Sequence, residues 1–195
     1  MKIKLIYHLR LGDILRSLPL AEKLNDQGHE VWFECLPQYH EIFDCVDYCR
    51  PVSPGVGDTF DRVIDLQVWP NRYDEYRASN IYWAEFVLGP YMVIDPNFDP
   101  IPKLNVVEPS KDYFLPEKFC LVSPFGISAG SVSTIHIDGK SPVYVLAMPD
   151  QCKGPRVISA AHLKDLVWLI ANAEAFSTVN SSPSVIAAAV RSSYR

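Results

Sequence analysis

The sequence predicts an α/β chain of two parallel-sheet halves, residues 1–108 and 109–195. Three observations carry that expectation. Short apolar, β-branched runs recur along the chain, the segment between the first two has helical spacing, and both halves open with a strand running into a glycine turn.

Lys2-Ile-Lys-Leu-Ile-Tyr7 reads as the first strand, and Leu15, Leu18, Ala21 and Leu24 then recur with the period of a helix. Gly28 closes that helix and Glu30-Val-Trp-Phe-Glu-Cys35 opens a second strand, so the beginning is a β-α-β unit. Gly12 supplies the turn between strand and helix. Asp13 stands where the helix starts, at the carboxyl edge of the first strand, which is where open α/β sheets bind ligands. Its plainer reading is a helix-terminal carboxylate stabilised by the macrodipole.

Pro37 to Phe43 reads as a short helix, Tyr48 to Pro54 as extended chain ending in a Pro54-Gly55 turn, and Asp61-Arg-Val-Ile-Asp-Leu-Gln67 as a strong strand. A helix through Ile81 to Leu88 stops at Gly89-Pro90. Between these lie Trp69, Arg72, Tyr73, Tyr76 and Arg77, aromatic faces mixed with guanidinium forks. That mixture suits stacking on a sugar and pairing with its anionic groups, or else a half-buried segment whose arginines snorkel. Residues 95–116 are proline-rich without a period and read as a crossing segment. The second half offers strands at Phe119 to Gly126, Val143 to Met148 and Ala175 to Val179. Helices follow from Ala160 to Ala171 and from Ser184 to Val190, the latter after the turn Asn180-Ser-Ser-Pro183.

A formal net charge of −5 over 195 residues argues against nucleic acid or an anionic membrane surface as the main partner. No apolar run reaches about eighteen residues and the start is too interrupted for a signal peptide, so the chain reads as cytoplasmic. Five cysteines without a C-x-x-C spacing read as reduced, space-filling thiols, although Cys45 and Cys49 could share a helix face. Five histidines without a paired metal motif point to no metal site.

The run His8-Leu-Arg-Leu-Gly-Asp-Ile-Leu-Arg-Ser-Leu-Pro-Leu-Ala-Glu-Lys-Leu24, closed by Gly28-His-Glu-Val31, resembles the opening of the heptosyltransferase-type glycosyltransferases of family 9. Phe60-Asp-Arg-Val-Ile-Asp-Leu-Gln67 resembles a central strand of their N-terminal domain. Lys111 to Lys118 resembles the approach to the first strand of their C-terminal domain, though Pro124-Phe-Gly126 departs from the family's turn by one inserted residue. The resemblance implies a GT-B architecture of two Rossmann-like halves, with Asp13 as general base and no metal or other cofactor. The co-substrate would be a nucleotide sugar and the acceptor a hydroxyl on a glycan or lipid-linked molecule, in an inverting transfer. Asn180, Ser181 and Ser182 inherit the positions that hold the donor diphosphate, with the Gly12 amide also stabilising it, and Val185 stands where the family has a histidine. Trp69, Arg72, Tyr73 and Arg77 fall on the acceptor side.

Measured against that family the second half is shortened, which implies completion by another copy of the chain or by another protein, or else a binding or scaffold protein that kept the fold without catalysis. Hydroxyls and amides at a helix N-terminus would suit an anion, yet Ser181 or Ser182 equally serves as a helix cap. A different chemistry is offered by Gly126-Ile-Ser-Ala-Gly130, a G-x-S-x-G run placing Ser128 as a hydrolase nucleophile, with Asp138 or Asp150 and His162 in chain order. The β-branched stretch that follows reads as a strand rather than the helix such an elbow requires.

Overall fold

Along Lys2–Ile6 (β1) side chains alternate between buried and half-buried, as expected of a strand whose one face carries Ile3 and Leu5 into a core. The computed structural model describes residues 1–57, 59–68, 71–79, 83–92, 101–126, 130–131, 140–147, 152–179 and 181–191. They fall into two units, Met1–Lys103 and Leu104–Arg195.

In the first unit, β1 pairs in parallel with Glu30–Glu34 (β2) on one side and Arg62–Asp65 (β4) on the other. Arg50–Val52 (β3) lies beyond β2, giving the order β3-β2-β1-β4. The helix Leu11–Asp26 (α1) buries Ile14, Leu15, Leu18, Ala21 and Leu24 and packs chiefly over β2. It ends in a Schellman motif: the Gly28 amide donates to Asn25 O at 2.8 Å and the His29 amide to Leu24 O at 3.1 Å. Gly28 has φ +81°, the left-handed conformation that such a stop demands.

Two expectations are corrected here. Gly12 does not form the turn: it is the second residue of α1, and the chain reverses over His8 to Arg10. Cys45 and Cys49 share no helix face, because Pro37–Cys45 is a 3-10 helix that stops at Cys45, while Cys49 precedes β3. All five cysteines are free thiols, four of them buried. Residues 73–88 make two short helices, Tyr73–Ser79 (α2) and Trp83–Leu88 (α3), and α3 packs against α1.

The second unit repeats the same wiring. Cys120–Ser123 (β5) opens it, and a two-residue antiparallel pair follows, Phe125–Gly126 (β6) with Gly130–Ser131 (β7). Val143–Leu146 (β8), Val157–Ile158 (β9) and Ala175–Thr178 (β10) complete a parallel sheet in the order β10-β5-β8-β9. In each sheet the first strand is internal, the next two lie on one side and the last on the other. Leu163–Asn172 (α4) and Ser182–Val190 (α5) pack together.

Side chains secure both ends of α4. Asp165, fully buried, accepts hydrogen bonds from the Ser110 amide and hydroxyl (both 2.6 Å), the Tyr113 hydroxyl (2.8 Å) and the His162 amide (3.3 Å). Burial works to raise its pKa, but those donors outweigh it and hold the carboxyl below its usual range. At the other end the Arg191 guanidinium donates to the carbonyls of Ile170 (2.9 Å), Ala173 and Glu174 (2.9 Å).

Gly28→Ala should lower unfolding stability by roughly 1–2 kcal/mol in urea titration, purely through backbone strain, since a Cβ there meets no atom within 4 Å. Asp165→Asn should cost about 2–3 kcal/mol at pH 7. Because the folded-state pKa is depressed, the carboxylate's contribution is present above the unfolded value and vanishes as pH falls through the folded one. The gap between variant and wild type should therefore close below about pH 4 in pH-dependent denaturation.

Candidate functional site

The order of the first sheet reverses between β1 and β4, a topological switch point of the kind at whose carboxyl edge open α/β sheets bind ligands. Tyr7 and His8 leave β1 there, and α1 begins three residues later. Asp13 lies half-buried in the first turn of α1, its carbonyl accepting the Ser17 hydroxyl at 2.8 Å. The buried Tyr7 hydroxyl donates to Asp13 Oδ2 at 2.8 Å. Burial raises the Asp13 pKa, against the opposing effects of the Tyr7 hydrogen bond and of Arg10 and Arg16. The Tyr7 phenol is itself pushed far upward, first by burial and then by the Asp13 charge, so it stays a proton donor.

Neighbouring contacts fix this corner. Trp83 of α3 meets the Tyr7 ring edge-on at 6.2 Å. Tyr39, from the 3-10 helix, donates to the Leu9 carbonyl at 3.1 Å and so holds the loop leading into α1. Glu34, buried at the end of β2, pairs with Lys4 Nζ at 2.6 Å and His8 Nε2 at 2.8 Å. Burial pushes the Glu34 pKa upward, but the Lys4 and His8 contacts outweigh it and leave the carboxyl below its usual value. Sequence reasoning singled out Asp13 but not Tyr7, Glu34 or Trp83. The available signal was a run of polar groups, Tyr7, His8 and Glu34, at the exits of two adjacent strands.

The segment expected on the acceptor side is engaged largely with itself. Trp69 lies outside the described residues. Arg72 sits over the Phe86 ring at 4.6 Å and approaches Glu75 at 3.6 Å, and Arg77 sits over the Tyr73 ring at 5.9 Å. No residue of α2 is buried.

The second switch point lies between β5 and β10, where Thr178 Oγ1 donates to Ser123 O at 3.0 Å. Asn180 lies outside the described residues. Ser181 precedes α5 and Ser182 is its first residue. The Ser181 hydroxyl donates to Val179 O at 3.1 Å. Ser184 Oγ accepts from the Ser181 amide at 3.2 Å and donates to its carbonyl at 2.6 Å, so this turn is tied within itself. Ser128, Asp138 and Asp150 also lie outside the described residues. Where the hydrolase elbow needs a helix, the chain places strand β7 two residues after Ser128, and His162 is the N-cap of α4. Among the described residues no three His, Cys, Asp or Glu side chains are grouped to hold a metal.

No protein-family model and no curated protein matches this sequence. Solved structures do. The iron-containing dodecameric glycosyltransferase TibC from enterotoxigenic E. coli H10407 aligns with a TM-score of 0.63 and 14% identity, over 97% of this chain and 56% of that one. The chain thus spans little more than half the length of TibC. E. coli heptosyltransferase WaaC with ADP aligns with a TM-score of 0.62 and 12% identity, over 98% of this chain and 85% of that one. For E. coli ADP-heptose LPS heptosyltransferase II the values are 0.60 and 15%, over 97% and 82%. The fold is GT-B-like. Within that GT-B-like chain, two four-stranded parallel sheets of identical order supply one switch point each, and Asp13 stands at the first.

A carboxyl whose folded-state pKa is raised binds its proton more tightly than in the unfolded chain, so folding stability falls as pH rises through the interval between the two values. Asp13→Asn removes that loss. The variant should gain stability over wild type at pH 8 and lose the advantage near pH 4, as read by thermal melts across pH.

Proposed function

We propose that this chain transfers a sugar from a nucleotide-sugar donor to a hydroxyl of a glycan or lipid-linked acceptor. The observation that carries the reading is the half-buried Asp13 at the β1/β4 switch point, its proton affinity raised, in a fold whose solved neighbours are glycosyltransferases over nearly the whole chain. In this reading Asp13 accepts the acceptor's hydroxyl proton as that oxygen bonds to the anomeric carbon. The bond from that carbon to the donor's phosphate breaks, and the nucleoside diphosphate leaves with the electron pair and inversion at carbon. The amides of the α5 N-terminus, with Ser181, Ser182 and Asn180, stabilise the departing charge. Trp69, Arg72, Tyr73 and Arg77 belong to acceptor recognition. Free, largely buried thiols and a nucleotide-sugar donor fit a cytoplasmic setting, and among the described residues no helix is long and apolar enough to cross a membrane.

WaaC has been solved with ADP and TibC with ADP-D-β-D-heptose, so ADP and ADP-heptose are the first ligands to test. TibC is described as dodecameric, which supports a second copy of the chain as a partner. A catalytically silent binding or scaffold protein is the second reading, favoured by the Ser181 hydroxyl being turned onto Val179 rather than outward.

A thermal-shift series followed by transfer assays separates the two. A donor nucleotide at about one hundred times its dissociation constant adds roughly 2.7 kcal/mol. Asp13→Asn should keep that shift while kcat drops about 10²–10⁴-fold, and Ser181→Ala should weaken the shift. No shift with any nucleoside diphosphate or nucleotide sugar would leave the scaffold reading standing.

A further inference from the structure

We infer that Tyr7 is the positioning residue for Asp13: its hydroxyl holds Oδ2 and so presents Oδ1 to the acceptor's proton. The inference rests on the transferase reading above and adds to it a residue that reads in the sequence only as the last apolar position of β1.

The geometry is specific. Tyr7 is the first residue beyond β1 and Asp13 lies in the first turn of α1, so the 2.8 Å hydrogen bond closes the loop that joins strand to helix. A carboxylate that takes a proton must offer one oxygen along a fixed line, and a free carboxyl rotates about its Cβ–Cγ bond. A single charge-assisted bond to one oxygen removes that freedom while leaving the other to work. The phenol is fixed in turn: it is buried, and Trp83 of α3 flanks its ring. Its proton cannot be given up near neutrality, so the donor role persists wherever Asp13 is ionised. The other charged groups felt at Asp13 are Arg10, just before α1, and Arg16, on α1 itself. Their charges lower the affinity of Asp13 for a proton, alongside the hydrogen bond from Tyr7.

The test is Tyr7→Phe, which keeps the ring against Trp83 and removes only the hydroxyl. In the wild type and the variant, the Asp13 carboxyl is followed by carbon-13 NMR titration, and kcat and KM are measured across pH with the nucleotide sugar that gives transfer. The bond lowers the Asp13 pKa, so the variant should titrate at higher pH and its acid limb should move the same way. At the alkaline plateau kcat should fall about ten- to a hundredfold with KM nearly constant, because orientation is lost even when Asp13 is fully ionised. Arg10→Gln, which changes charge but spares the bond, should move the limb and keep the plateau. If Tyr7→Phe titrates and turns over like wild type, the positioning role is overturned while the transferase reading survives. If wild type transfers no sugar from any donor, that reading fails and the role with it, and the NMR titration then reports only whether the hydrogen bond exists.

Discussion

Parallel strands can be joined only by a crossover that returns over one face of the sheet, and such crossovers are right-handed. That constraint decides where chemistry can sit in this chain. Each unit lays down its first strand, adds two more on one side, and then returns to place the fourth on the other. The strand order therefore reverses at the β1/β4 and β5/β10 boundaries. Tyr7, His8 and Asp13 emerge at the first, and Ser123 with Val179 and Ser181 at the second. The same wiring, used twice, yields two switch points without requiring any likeness of sequence between the halves.

Among the described residues Asp165 and Glu34 are buried and Asp13 is half-buried, and the hydrogen-bond donors around these three separate their roles. Asp165 collects four donors and Glu34 collects Lys4 and His8, and both are held in the ionised form. Asp13 has the Tyr7 phenol with two arginines acting on it, and there burial prevails. A fully solvated or fully bonded carboxylate is a poor base at the ends of a reaction, the first because it is too weak and the second because its lone pairs are occupied. Asp13 is the one of the three left between those limits.

Much of this was legible in the sequence, and what was missed has physical causes. Strands and helices of four residues or more with one buried face, such as β1, α1 and α4, announce themselves by period. The two-residue β9 is too short to have one, and α2, with no buried residue, has no apolar stripe to read. The stop at Gly28 was visible because only glycine enters the left-handed region at little cost, whereas Gly12 misled because a glycine beside a strand exit also fits inside a first helical turn. Asp13 was visible because a carboxylate just past a strand stands out. Tyr7 was not, since a buried tyrosine ending an apolar run reads as core, and only its hydroxyl's partner reveals otherwise. Glu34 was hidden in the same way, as one more residue of a strand, until the fold brought Lys4 and His8 to it.

The stretch from Leu104 to Lys118 has no ladder partner, yet Ser110 and Tyr113 are both bonded to Asp165, and Tyr113 also accepts from the Ala161 amide and stacks on Trp168. One residue on, the Phe114 side chain is 99% exposed. Regular structure and local rigidity are thus separated here. In deuterated solvent the Ser110 amide, held by a buried carboxylate, should therefore exchange more slowly than the unbonded amides beside it in the same irregular segment.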